Sequence, residues 1–328
     1  LYDYTPVNGT TTLALSGNWR NRSGFFTFVT VGGNLNYKWY TNPRKRHELN
    51  LFNLEYNSVI RTTAAFDSIT RANPALYISM RDQLVPSISY IFTSTSPATD
   101  RHPYWVQFLL KEAGNVTSGL YALTGRSFSE TGKHLLRSPF SQFVKATAEG
   151  HYTRVFSPRL SLAMRAFAGV VYAYGNSTQA PYGEQFFVGG ANSVRGFAVR
   201  TIGPGGYHTQ RTKYSYIDQT GDVKFEANAE LRTRLFGQLN GALFLDAGNV
   251  WLIRPDANRP ESGLTLRNLK RIAVGTGVGL RYDLSFLVIR VDLGVGRHAP
   301  YDTGRQGFYN INRFKESLVL HFAIGYPF

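Results

Sequence analysis

The sequence predicts an all-β protein, a transmembrane antiparallel β-barrel, and three observations carry that expectation. Segments of the C-terminal half alternate apolar and polar residues with a period of two. Several of them reach about ten residues or more, the length of a tilted strand that crosses a bilayer. The links between them alternate long and short through five consecutive pairs, as in outer-membrane barrels with long outer loops and short periplasmic turns.

Composition agrees with this reading. Aromatic residues make up 14% of the 328, and 32 are glycine, a mix that favours strands and tight turns over helices. No run of about 18 apolar residues occurs, which rules out a membrane-spanning helix. The mean hydropathy of −0.23 resembles that of a soluble protein. A barrel gives the same value, because half of each strand faces a polar lumen. Cysteine is absent, so disulfides, thiol nucleophiles and cysteine-bound metals are excluded. The net charge of +15 would suit nucleic acid, but no Lys/Arg block or binding module accompanies it. A solvated basic surface is the plain reading, basic residues facing anionic lipid head groups are a third possibility, and nucleic acid is not an expected partner.

In chain order, strand-like segments fall at 11–20, 26–41, 46–60, 82–96, 104–114, 143–155, 159–174, 221–235, 239–251, 270–283, 286–296 and 317–328. In the seventh, Leu160, Leu162, Met164, Ala166, Ala168 and Val170 share a face. The eighth sets Val223, Phe225, Ala227, Ala229 and Leu231 against Asp222, Lys224, Glu226, Asn228, Glu230 and Arg232. The ninth points Leu243 and Leu245 to lipid and Asn240, Ala242, Phe244, Asp246 and Gly248 inward. The tenth opposes Ile272, Val274, Thr276, Val278, Leu280 and Tyr282 to Ala273, Gly275, Gly277, Gly279, Arg281 and Asp283. The eleventh aligns Leu287, Ile289, Val291, Leu293 and Val295 opposite Arg290, Asp292 and Gly294, and the last aligns Leu318, Leu320, Phe322, Ile324, Tyr326 and Phe328. Ionised residues interleaved with glycine suit a wet lumen rather than a dry core.

The long links lie near 61–81, 116–142, 175–220, 252–269 and 297–316; the short ones lie near 42–45, 97–103, 156–158, 236–239 and 283–285. This order puts the C-terminus on the periplasmic side. Nothing divides the segments, so residues 1–328 form one barrel domain. Tyr172, Tyr174, Trp251 and Tyr326 stand near strand ends and read as interfacial girdle anchors.

The longest link contains GGANSVRGF (189–197), with Arg195 among backbone-permissive residues. The motif Val194, Arg195, Gly196, Phe197 resembles the Val-Arg-Gly-Phe/Tyr motif of the outer-membrane protein assembly and secretion barrels, of BamA, TamA and two-partner-secretion type. Further matches follow in the family's order: AELR (229–232), ALFLDAGNVW (242–251) with Phe244, Asp246 and Gly248, and VGTGVGLRYD (274–283). The resemblance is strongest over 143–328, and the segments IGPGGY and AIGYPF are similar to those of Bacteroidetes members.

The resemblance implies a 16-stranded barrel preceded by periplasmic POTRA domains. With twelve strand segments and no POTRA domain, the chain is expected to be part of a longer protein. The resemblance also implies that the loop folds into the lumen and that Arg195 meets Glu230 and Asp246 on the wall. Parity supports this, since both acids belong to inward faces of neighbouring strands. Arginine suits the task because its planar fork holds a carboxylate at two points. Gly189 and Gly190 would let the loop turn, and Gly275, Gly277 and Gly279 would leave room for it. His321, Ala323, Tyr326 and Phe328 are assigned to the terminal-strand insertion signal and seam, with alanine at 323 where the family usually has glycine.

The glycine row GTGVG is a strand feature rather than a nucleotide loop, because no helix follows. No HExxH spacing or G-x-S-x-G elbow occurs. No enzymatic activity, cofactor or metal is expected. The implied function is an outer-membrane insertase that admits client barrels through a lateral seam. The implied partners are outer-membrane lipids, unfolded client outer-membrane proteins and periplasmic or lipoprotein accessory subunits. A two-partner-type secretion pore and a passive porin are the alternatives.

Overall fold

A computed structural model describes residues 9–22, 26–97, 99–209 and 219–328. Twelve strands form one sheet in chain order. They are β1 (Thr10–Arg22), β2 (Phe26–Asn42), β3 (Lys45–Thr62), β4 (Gln83–Thr95), β5 (Tyr104–Ala113), β8 (Phe143–Ser157), β9 (Leu160–Ala173), β10 (Val223–Phe236), β11 (Leu239–Trp251), β12 (Ala273–Asp283), β13 (Val288–His298) and β14 (Leu318–Ile324). The link after β5 holds a separate two-residue pair, β6 (His134–Leu135) with β7 (Ser138–Pro139). Each expected segment corresponds to one strand of the large sheet. The connection at 23–25 and residues 210–218 of the longest link lie outside the described residues.

The long links also carry short helices that periodicity did not announce. These are α1 (Ala64–Ala72) and α2 (Pro74–Met80) after β3, α3 (Asn115–Leu123) after β5, α4 (Leu266–Leu269) after β11 and α5 (Phe314–Ser317) before β14. Local chemistry accounts for α2: Pro74 opens it, and the Asn73 side chain accepts from the Leu76 amide at 3.2 Å. No helix among the described residues is long and apolar enough to cross a membrane.

The chain divides into two compact units. The first comprises Leu1–Ser94, Gln107–Thr147 and Val170–Gln185. One face of its β2–β4 region carries an amide and hydroxyl ladder. Thr30 donates to Asn57 at 2.8 Å, Asn36 to Asn50 at 2.9 Å, and Asn50 to Ser89 at 2.9 Å. The opposite face shows Leu35 beside Phe52 and Val31 beside Tyr56.

The second unit comprises Thr95–Val106, Ala148–Gly169 and Phe186–Phe328. Its solvation pattern is inverted relative to a water-soluble protein. Leu243, Leu245, Val278 and Leu280 are at least 50% exposed, whereas Glu226, Glu230, Asp246, Arg281, Arg290 and Asp292 are fully buried. Water-soluble proteins almost never bury so many charges while exposing rows of leucine, and a barrel wall in lipid does.

The terminal strand stops at Ile324, four residues before the expected end. Gly325 adopts φ +83 there, a left-handed turn that favours glycine, and Pro327 cannot donate to a ladder. The β13–β14 ladder therefore runs from Val295 with Leu318 to Ile289 with Ile324.

Two girdle assignments are corrected. Trp251 is buried, because the link after β11 folds back over the strand end and Asn268 of α4 accepts from its indole N–H at 2.8 Å. Tyr326 comes after the Gly325 turn, and its ring lies 4.6 Å from the Arg232 guanidinium on the inward side of β10. Tyr172 keeps an exposed ring, stacked on Tyr174.

Candidate functional site

The loop between β9 and β10 folds its glycine motif into a compact turn. Gly189 and Gly190 have φ near +104 and +105, which lets the chain reverse. The Gly190 amide donates to Phe197 O at 3.0 Å, and the Phe197 amide to Val194 O at 3.1 Å. The Ser193 hydroxyl accepts from the Gly189 amide at 3.0 Å and donates to Glu226. Val194 and Phe197 are buried, and Arg195 projects from the turn with its side chain fully enclosed.

The Arg195 guanidinium holds Asp246 with both arms of its fork, Nε and Nη2 each donating at 2.8 Å. The Arg195 main-chain amide adds a third bond to the same carboxylate at 3.1 Å. Nη1 donates to Glu230. Phe244 supports the cation from below, with its ring centroid 3.7 Å from the guanidinium carbon. Burial alone would lower the arginine pKa, but the Asp246 and Glu230 carboxylates outweigh it and raise the pKa above its ordinary value.

The two acids meet one cation because of register. Glu230 lies opposite Phe244 and Asn228 opposite Asp246, so the carboxylates are diagonal neighbours on one face of β10 and β11. Asn228 donates to Asp246 at 2.9 Å and to Ser193 O at 3.0 Å, tying wall and loop together.

Sequence reasoning missed the next layer of the network. Arg281 donates to Glu230 at 2.8 Å and to Asp292 at 2.6 Å, and Arg232 donates to Glu230 at 2.9 Å. Arg290 lies 3.4 Å from Asp292 and donates to Asn192 of the loop. Arg281 and Arg290 face each other across β12 and β13, so without Asp292 the register would place two like charges together. On the other side, Arg165 of β9 joins Glu149 of β8 to Glu226 of β10. Inward parity marked most of these residues; their convergence needed the loop's position.

The expected glycines act in different ways. A Cβ on Gly275 would lie 2.7 Å from the Gly196 nitrogen and 2.8 Å from its Cα, so loop and wall touch backbone to backbone. A Cβ on Gly277 would meet the Phe244 ring and Leu293 O, and one on Gly279 would meet the Arg281–Asp292 pair. Only Gly275 of the three meets the loop. Gly294 and Gly296 of β13, which the motif did not flag, meet it too: a Cβ on either would strike the carbonyl of Arg195 or Gly196. Gly248 faces Glu226 across the ladder, where a Cβ would lie 2.9 Å from Phe225 O.

The terminal-strand residues separate. His321, assigned to the terminal-strand signal and seam, also meets the loop: its Nε2 donates to Arg195 O at 2.9 Å. Ala323 lies opposite Arg290 in the ladder. Arg232 donates to Phe328 O at 3.2 Å and lies 5.5 Å from its ring, so Tyr326 and Phe328 bracket one cation.

The same loop has a second ionic attachment in the first unit, also missed. Glu184 bonds Lys111 of β5 at 2.5 Å and Lys145 of β8 at 3.0 Å. Burial would raise its pKa, but the two ammonium groups overcome that and hold it at about 2.

The Omp85 superfamily domain matches residues 113–328. Outer membrane protein assembly factor BamA of Neisseria meningitidis serogroup B is 32% identical over 115 residues, 34% of this chain and 14% of that protein. Among solved structures, BamA from Haemophilus ducreyi lacking POTRA domains 1–3 superposes with TM-score 0.60 at 12% identity, covering 97% of this chain and 58% of that one. CdiB from Escherichia coli superposes with TM-score 0.51 at 15% identity, covering 96% and 49%. The chain thus spans little more than half of that BamA structure, and these structural likenesses concern the fold.

Proposed function

The chain belongs to the Omp85 superfamily, and from that premise we propose that it is an insertase, folding client β-barrels into the outer membrane through a seam at β14. Its place as an outer-membrane β-barrel of the assembly and secretion family is the ground for that reading. The C-terminus faces the periplasm, as the long and short links require.

One observation carries the proposal. The loop that Arg195 anchors is also bonded to β14, at the end of the sheet, through His321. The β14 ladder ends early at Ile324; the Gly325 amide still donates to Val288 O of β13 at 2.8 Å, and the chain turns away there at the positive φ of Gly325. A seam strand must be able to exchange partners, because a client adds by backbone pairing to an edge. The buried Arg195 network keeps the β10–β13 wall in shape while β14 moves. In this reading the loop braces the barrel, and client pairing with bilayer strain drives opening.

The test is client insertion into liposomes containing the full-length protein, with single cysteines along β14 as crosslinking sites. These 328 residues contain no cysteine, so within them each crosslink reports the introduced position. Acceleration of client folding together with β14–client crosslinks is expected. Secretion would instead move a partner across the bilayer with no lasting β14 contact, and a passive pore would give steady conductance with no effect on client folding.

A further inference from the structure

α3, the helix that follows β5, leaves one face exposed among the described residues. Val116, Leu120 and Leu123 lie at i, i+4 and i+7 and are 57%, 60% and 84% exposed. Residues at that spacing share one helix face. Gly119 between them has open space where a side chain would be. Phe128 and Leu136, later in the same link, are also exposed.

The other face is fixed to the protein by polar bonds. Ser118 is fully buried and donates to Gln142 at 2.9 Å. Asn115 accepts from Gln142 at 3.3 Å and from the Tyr174 hydroxyl at 2.7 Å. Tyr121 stacks on buried Phe140. The helix therefore has a set orientation, with the apolar stripe turned away from its own unit.

Its location indicates what covers the stripe. Glu112, which accepts from the Asn115 amide at 3.2 Å, continues the β5 row of Phe108 and Leu110, both more than half exposed. Tyr174 continues the β9 row that ends in exposed Tyr172. Both rows belong to the face that meets lipid, and both lead directly to the start of α3.

We infer that α3 is an interfacial helix lying in the outer leaflet, with Val116, Leu120 and Leu123 at the boundary between head groups and acyl chains. The occupant of the stripe is lipid, because the apolar belt of β5 runs into it without a polar break other than Glu112, which caps the helix. Such a helix needs no great length, since the strand ends hold it in place. It would hold the β5 rim at a set depth in the membrane.

The inference is tested with nitroxide labels on single cysteines at 116, 120, 122, 123 and 129 of the full-length protein in phospholipid liposomes, with 108 as the bilayer reference. Collision with oxygen, which concentrates in lipid, is compared with collision with a water-soluble nickel chelate. Labels at 116, 120 and 123 should favour oxygen several-fold more than those at 122 and 129, and should approach the value at 108. Equal exposure to the nickel chelate at all five positions would overturn the inference. So would protection of the stripe that appears only when another protein is added, since the occupant would then be protein.

Discussion

Replacing Arg195 with methionine removes the fork and keeps most of the apolar stem. The two acids are affected unequally. Glu230 retains Arg281 and Arg232, whereas Asp246 keeps, among the described residues, Asn228 and the main-chain amide of residue 195. Asp246 is fully buried, so its charge becomes uncompensated in the seated state. Breaking a buried pair by removing one partner costs about 3–5 kcal/mol. That cost multiplies the population of the unseated loop by roughly two to three and a half orders of magnitude. The measurement uses Val194→Cys, a fully buried position in a chain without cysteine, and the rate at which a water-soluble thiol reagent modifies it. Adding Arg195→Met should raise that rate at least a hundredfold. Combining Arg195→Met with Asp246→Asn should cost less than the sum of the single changes, because the second removes the charge that the first exposes. A rise of less than tenfold, or strictly additive effects, would refute the assignment of Asp246 as the main counter-charge.

Gly275→Ala puts a methyl into rigid backbone at 2.7 Å and should lift the loop at a cost of about 1–3 kcal/mol, read by the same labelling rate; Gly17→Ala, where space is open, should leave it unchanged. His321→Ala removes one hydrogen bond to Arg195 O and should raise labelling by about tenfold or less, with about 1 kcal/mol at stake. Glu184 has its pKa lowered in the folded protein, from 4.5 to about 2. Its contribution is therefore full above about pH 4.5 and is lost as pH falls through about 2. Hydrogen exchange of the 180–186 amides should accelerate across that window beyond the intrinsic rate, and Glu184→Gln should abolish the extra dependence.

The strands were legible because a wall with lipid on one side and water on the other imposes a period of two. Boundaries agreed within three residues except at β14, where the positive φ of Gly325 ended the strand that apolar parity would have continued. Arg195, Glu230 and Asp246 were legible from motif and parity together. Arg281, Arg290 and Asp292 were visibly inward, but that they share one network depends on the depth to which the loop descends, which no local pattern encodes. His321 was read as part of the terminal signal because its bond is to a main-chain oxygen 126 residues away. The Glu184 attachment left no signal beyond an acid in a loop and two lysines on strands. Helix α3 was hidden because a strand-rich reading assigns long links to irregular chain.

The main-chain carbonyl of Arg195, not its side chain, accepts the hydrogen bond from His321, so every residue type at 195 can still receive it. While the loop is seated, the last strand thus grips it through a contact that does not depend on the side chain at 195. Coupling of this kind is reciprocal. By whatever factor a tucked loop steadies the final strand, a strand in place steadies the loop by the same factor, and a polypeptide that displaced the strand would loosen the plug from the far side without touching it.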